Sequence, residues 1–126
     1  MEALAQAAKD RATDVGAKAR CMIGDIYLIE QDHDKAIEAY TNVFYGYGGS
    51  KADEKVDPWQ AYAYNHAALC SFARIQQARD EGNKELANKR ATDAKKLYEK
   101  LLAEHPQSEF ATQAQKNLQT IQQLLR

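Results

Sequence analysis

One stretch, Arg20 to Tyr40 (RCMIGDIYLIEQDHDKAIEAY), constrains the fold more than any other. Gly24 and Tyr27 stand about a turn apart, Ala36 and Tyr40 likewise, and the polar run Gln31-Asp32-His33-Asp34 separates the two pairs. Residues three or four apart share a helix face, and a small residue on that face lets a second helix come close while an aromatic ring fills the space beside it. The stretch therefore predicts a helix, a tight turn and a second helix folded back on the first. Asp32 suits the N-cap of that second helix, because its side-chain oxygen can accept from an orphaned N–H of the first turn. The inward face would be Ala36, Ile37, Tyr40, Val43 and Phe44.

The rest of the chain favours helices too. Among 126 residues there are 6 glycines and 2 prolines, and Ala, Gln, Lys, Glu and Leu dominate over β-branched residues. The fold class is all-α, in a chain long enough for one domain with its own core and too short to add a catalytic domain. With 17 basic and 18 acidic side chains the net charge is −1, so no basic field draws nucleic acid. No apolar run reaches the length of a membrane span, and MEALAQAAKDR lacks the basic start and apolar core of a signal peptide. Because the chain opens within a helical pattern, a piece of a longer protein and a whole chain are both open readings, and so is its compartment. Cys21 and Cys70 have apolar neighbours and no metal-ligand or CxxC spacing. They read as buried free thiols, a disulfide between neighbouring helices being the alternative.

Leu4, Ala8, Ala12, Val15, Ala19, Ile23, Ile26 and Tyr27 recur at helical steps, which predicts one long helix to about Glu30, mildly bent at Gly16. With the helix after Asp32 it makes a first hairpin over residues 2–45. Tyr45-Gly46-Tyr47-Gly48-Gly49-Ser50 and the charged run from Lys51 to Lys55 then predict the one sizeable loop, residues 46–57. Phe44, Tyr45, Tyr47 and Trp59 would staple that loop to the helices or, alternatively, form an apolar patch for a second subunit. Asp57 as N-cap and Pro58 as first helical residue restart the helix. Its Trp59, Tyr62, Ala63, Ala67, Leu69, Cys70, Phe72 and Ala73 are apolar on two faces, as in a central helix. Gly82-Asn83 turns a second hairpin over residues 58–105, whose charged tip, Arg79 to Glu85, is a solvated end or a docking knob. After Pro106, Ser108 suits the N-cap of a last helix over residues 108–126. Phe110, Ala114, Leu118, Ile121 and Leu125 lie on one side of it, and glutamines on the other.

Ile23-Gly24, Tyr27, Ala36 and Tyr40 resemble the tetratricopeptide repeat (TPR), whose pattern runs leucine-glycine, a tyrosine three residues after the glycine, then alanine and an aromatic four residues on. Arg20 stands where the family usually has tryptophan. A second unit is similar, with Ala67-Ala68 at the leucine-glycine position and Ala94, Tyr98, Leu101 and Pro106 at the later offsets. About fourteen added residues would lengthen both arms of that hairpin equally, close to two turns each. The resemblance implies a right-handed TPR-like α-α superhelix: two antiparallel helical hairpins, the second extended, and a C-terminal capping helix. That makes five helices in a single domain over residues 1–126. IGDIYLIEQDHDKAIEAY and LYEKLLAEHPQSEFATQAQKNL look like bacterial cell-envelope modules of the Tol-Pal coordinator type, which implies an exported, periplasmic or envelope-associated parent.

No set of residues suited to catalysis accompanies this pattern. His33, His66 and His105 stand singly, Asp32-His33-Asp34 is explained by helix capping, and there is no HExxH, EF-hand loop or glycine-rich phosphate loop. The expectation is a chain that is not an enzyme and uses neither cofactor nor metal. In the family, the first helix of each pair lines a concave groove. Carried over, that gives Lys18, Cys21, Asp25 and Leu28 in the first repeat and Tyr62, Asn65, Leu69 and Phe72 in the second. This mixed lining implies a protein or peptide partner held as an extended strand or helix. With two repeats only, a last helix that fills the groove is the alternative. The lysine and asparagine set with which some members clamp a terminal carboxylate is not recognisable. The implied function is a non-catalytic protein-interaction scaffold, the alternative being an oligomerisation or structural segment of a larger exported bacterial protein.

Overall fold

The computed structural model describes residues 2–9, 13–46 and 56–125. All regular structure among them is helical: α1 (Glu2–Ala7), α2 (Asp14–Ile29), α3 (His33–Gly46), α4 (Asp57–Asp80), α5 (Lys84–Glu104) and α6 (Ala111–Leu124). The chain divides into two compact units, Met1–Tyr64 and Asn65–Arg126, the boundary falling inside α4. Among the described residues no helix is long and apolar enough to cross a membrane.

In the first unit, the single long helix expected up to Glu30 is two helices, which raises the count from five to six. α1 ends at Ala7, and α2 begins after Thr13, whose extended backbone (φ −121°, ψ 161°) is that of a residue leading into a helix. Asp14 follows in the first turn, where a carboxylate complements the positive end of the helix. Helical periodicity runs through this break because both sides serve one core. Ala8, Ala19, Ile23 and Ala39 are buried together, with Leu4, Ala7 and Tyr27 packed against them.

The turn between α2 and α3 satisfies its own backbone. Gln31 N–H donates to the Leu28 carbonyl and Asp32 N–H to the Tyr27 carbonyl, the crossed pair that closes a helix when the residue after its cap is left-handed. That residue is Gln31, at φ 62°. Asp32 Oδ1 then accepts from Lys35 N–H at 3.2 Å, the N-cap expected of it. α3 buries Ala36, Ala39, Tyr40, Val43 and Phe44. Gly24 is what lets α2 and α3 close: a Cβ at that position would stand 2.6 Å from Cε1 of the fully buried Tyr40 ring. Most of the expected loop, Tyr47 included, lies in residues 47–55, outside the described residues. α4 starts one residue earlier than expected, with Asp57 as its first helical residue and Pro58 as its second, still within the first turn, where backbone N–H groups have no intrahelical partner.

The second unit repeats the turn. Gly82, at φ 75°, donates to the Arg79 carbonyl, Asn83 N–H donates to the Ala78 carbonyl, and Asn83 Oδ1 accepts from Leu86 N–H at 3.0 Å to open α5. α5 buries Ala87, Ala91, Ala94, Tyr98 and Leu101, a single stripe at helical steps. It ends at Glu104, where His105, whose helical conformation the ring of Pro106 disfavours, leaves the helix at φ −134°. The last helix begins later than expected. Ser108 Oγ accepts from Phe110 N–H at 3.1 Å and so shapes the turn before α6 instead of capping the helix itself. The buried line of α6, packed on α5, is Ala114, Asn117 and Ile121, so Asn117 takes the place foreseen for Leu118, which with Leu125 flanks the core half-buried.

Candidate functional site

The first unit carries a cluster of polar and aromatic side chains on α2, α3 and the start of α4. Asp25 is its centre. Its Oδ1 accepts from the Tyr40 hydroxyl at 2.5 Å and its Oδ2 from the Tyr62 hydroxyl at 2.7 Å, so both carboxylate oxygens are held by phenols from two other helices. Helical spacing explains the meeting: Asp25 follows Gly24, and the glycine that admits the Tyr40 ring also brings its hydroxyl against the next side chain. Burial raises the Tyr62 pKa above its ordinary value of 10.0, and the hydrogen bond to Asp25 and the negative charge it carries act in the same direction.

Aromatic rings extend the cluster. Trp59 and Tyr62 lie with centroids 5.6 Å apart, and Tyr40 and Tyr62 are 6.5 Å apart with planes tilted by 60°. Lys18 Nζ lies 5.8 Å from the Trp59 ring centroid, within cation–π range. Cys21 donates its thiol to the Trp59 carbonyl at 3.6 Å, and burial, reinforced by Asp25, pushes its pKa up. A protonated, enclosed thiol of this kind packs as a small apolar group and is a poor nucleophile. Nearby, Phe44 stacks on Tyr64 with centroids 4.1 Å apart.

Of the residues expected to line a groove, the structure thus joins Lys18, Cys21, Asp25 and Tyr62, and Leu28 lies half-buried on the same helix as the first three. Asn65, Leu69 and Phe72 belong to the second unit. There Asn65 is buried at 6% exposure, Phe72 is half-buried and Leu69 is exposed. Both Cys21 and Cys70 are free and buried.

Two features escaped the sequence reading. Val15, expected on the apolar face with Ala19 and Ile23, is exposed, and steps of seven set it with the exposed Met22 and Ile29 on another side of α2, beside Lys18 and Asp25. Their spacing was legible, but apolar periodicity alone does not tell a covered stripe from an open one. The second is Asn117, whose Nδ2 donates to Tyr98 Oη at 2.9 Å while its Oδ1 accepts from Gln113 Nε2 at 3.0 Å. His66 stands edge-on to Phe110, with centroids 5.9 Å apart. Among the described residues no group of three or more His, Cys, Asp or Glu is arranged to hold a metal ion. No family model, characterised protein or solved structure matches the chain.

Proposed function

We propose that this chain is a TPR-like interaction scaffold, not an enzyme, and that a peptide or helix of a partner protein docks on the face of the first unit. The observation that carries this reading is the pair of half-buried rings, Trp59 and Tyr62, in contact with each other, with Lys18 beside Trp59 and the Tyr62 hydroxyl held by the Asp25 carboxylate. Pre-set aromatic surface with a cation and a carboxylate beside it loses little entropy on binding and offers both apolar contact and hydrogen bonds. The seating of Gly24 on Tyr40 supports the repeat class, since it is the contact that the small/aromatic spacing of such repeats serves. Selection of binders from a random peptide display library on the wild-type chain, with counter-selection on Trp59→Ala, tests it. Binders that perturb backbone amide signals of Lys18, Asp25 and Leu28 support the reading, and binders indifferent to Trp59→Ala defeat it.

A second reading, an oligomerisation or structural segment of a larger exported protein, is favoured by one observation. The open Val15, Met22 and Ile29 line has the seven-residue step of a helix-packing seam. The last helix gives that reading less, because Ile121 is fully buried.

A further inference from the structure

On roughly the opposite side of α2 from Lys18, at 3.6 residues per turn, a depression of about 240 Å³ opens between α2 and α3. Arg20, Tyr27, Lys35, Glu38, Ala39 and Asn42 line it. Two facts set it apart from an ordinary surface furrow. Arg20 Nε is buried and has no hydrogen-bond partner among the described residues, and an unsatisfied buried donor on a charged group is a standing cost that native interiors rarely carry. Lys35 is only loosely committed: its contact with Asp32 is 3.9 Å long and exposed, and its Nζ stands 5.8 Å from the centroid of Tyr27, another wall of the same depression.

We infer that this depression is a binding subsite for a single carboxylate group. Arg20 and Lys35 against Glu38 leave the lining with one net positive charge, which suits a monoanion better than a phosphate dianion. The planar guanidinium matches a carboxylate with paired N–H donors once its Nε edge, enclosed in the depression, turns towards the occupant, and Asn42 adds an amide. The ligand is an acidic side chain of a bound peptide or a small free carboxylic acid. The subsite does not depend on the face proposed above, so either can fail alone.

The test follows the side-chain Nε–H signal of Arg20 by NMR in the full chain during titration with N-acetylglutamate amide and, separately, with a short glutamate-containing peptide. Inorganic phosphate at the same ionic strength is the comparison. A saturable shift of that signal is expected. Arg20→Lys, which keeps the charge but loses the fork, should weaken binding about tenfold, the equivalent of one charge-assisted hydrogen bond. Glu38→Gln should tighten it a few-fold by removing the like charge. Tighter binding of the peptide assigns the source to a protein partner, and equal binding assigns it to a free acid. A shift that grows linearly without saturating, that phosphate reproduces equally, or that persists in affinity in both Arg20→Lys and Lys35→Gln overturns the inference.

Discussion

The turns into α3 and α5 have the same form, but the tyrosines that those two helices bury find opposite kinds of partner. In both, a left-handed residue (Gln31, Gly82) is followed by an Asp or Asn whose N–H donates the outer backbone bond and whose side chain caps the next helix. Tyr40 and Tyr98 are both fully buried. Tyr40, however, reaches back to a carboxylate on the preceding helix, which also holds the half-exposed Tyr62, whereas Tyr98 reaches forward to a neutral amide on the following helix. A charge is tolerated where it stays near solvent, and a neutral pair serves where both groups are buried. The same turn thus serves a unit with an ionisable surface cluster and a unit whose polar contact is internal, which is why the first unit is the better candidate for recognition.

The strongest way to break this comparison is Gly24→Ala. The added methyl would meet the Tyr40 ring, which has no room to retreat, and overpacking should outweigh the better helix propensity by about 2 kcal/mol. Urea denaturation followed by circular dichroism checks it, and an unchanged midpoint would mean that Gly24 is not the contact that sets the α2–α3 distance. The paired hydroxyl deletions come next. Tyr98→Phe leaves Asn117 Nδ2 buried without its acceptor and should cost about 2 kcal/mol, while Tyr40→Phe leaves Asp25 with Tyr62 and should cost about 1 kcal/mol. Equal losses in the two variants would erase the distinction between the units.

A smaller gain is expected at the turns. Gln31→Gly removes the strain of a non-glycine residue at φ 62° and should stabilise by roughly 0.5–1 kcal/mol, bringing the first turn to the chemistry of Gly82. Thermal unfolding with a lowered midpoint would contradict this. At neutral pH Tyr62→Phe should do little to titration-linked stability, because the effect lies higher. The folded state holds the Tyr62 proton above its ordinary value of 10.0, so its contribution is complete below pH 10 and is lost as pH rises from there towards the folded pKa. The variant should therefore show a shallower alkaline decline than the parent when stability is measured across pH 9 to 11, and an identical decline would remove Tyr62 from the account.

Much of this was legible in the residues. Asp32, Gly82-Asn83 and Pro106 announced their caps, turn and stop because each works through local backbone chemistry, and Gly24 with Tyr40 announced a helix contact through spacing. What stayed hidden depends on tertiary packing. The break between α1 and α2 is masked by an apolar periodicity that both helices share. The left-handed Gln31 has no compositional signature, and Asn117 looks like a surface amide until Tyr98 is opposite it. Arg20 read only as a departure from a repeat pattern, and its unpartnered Nε became visible once Tyr27, Lys35 and Asn42 were assembled around it.

The measurement that bears most directly on the scaffold reading is the solution mass by light scattering over a wide concentration series, with Met22→Lys alongside. The account predicts a monomer at every concentration in both proteins, which leaves the exposed side of α2 and the neighbouring Trp59 and Tyr62 rings of α4 for a different protein. A dimer or trimer that Met22→Lys dissolves would contradict it and assign that face to a second copy of the chain.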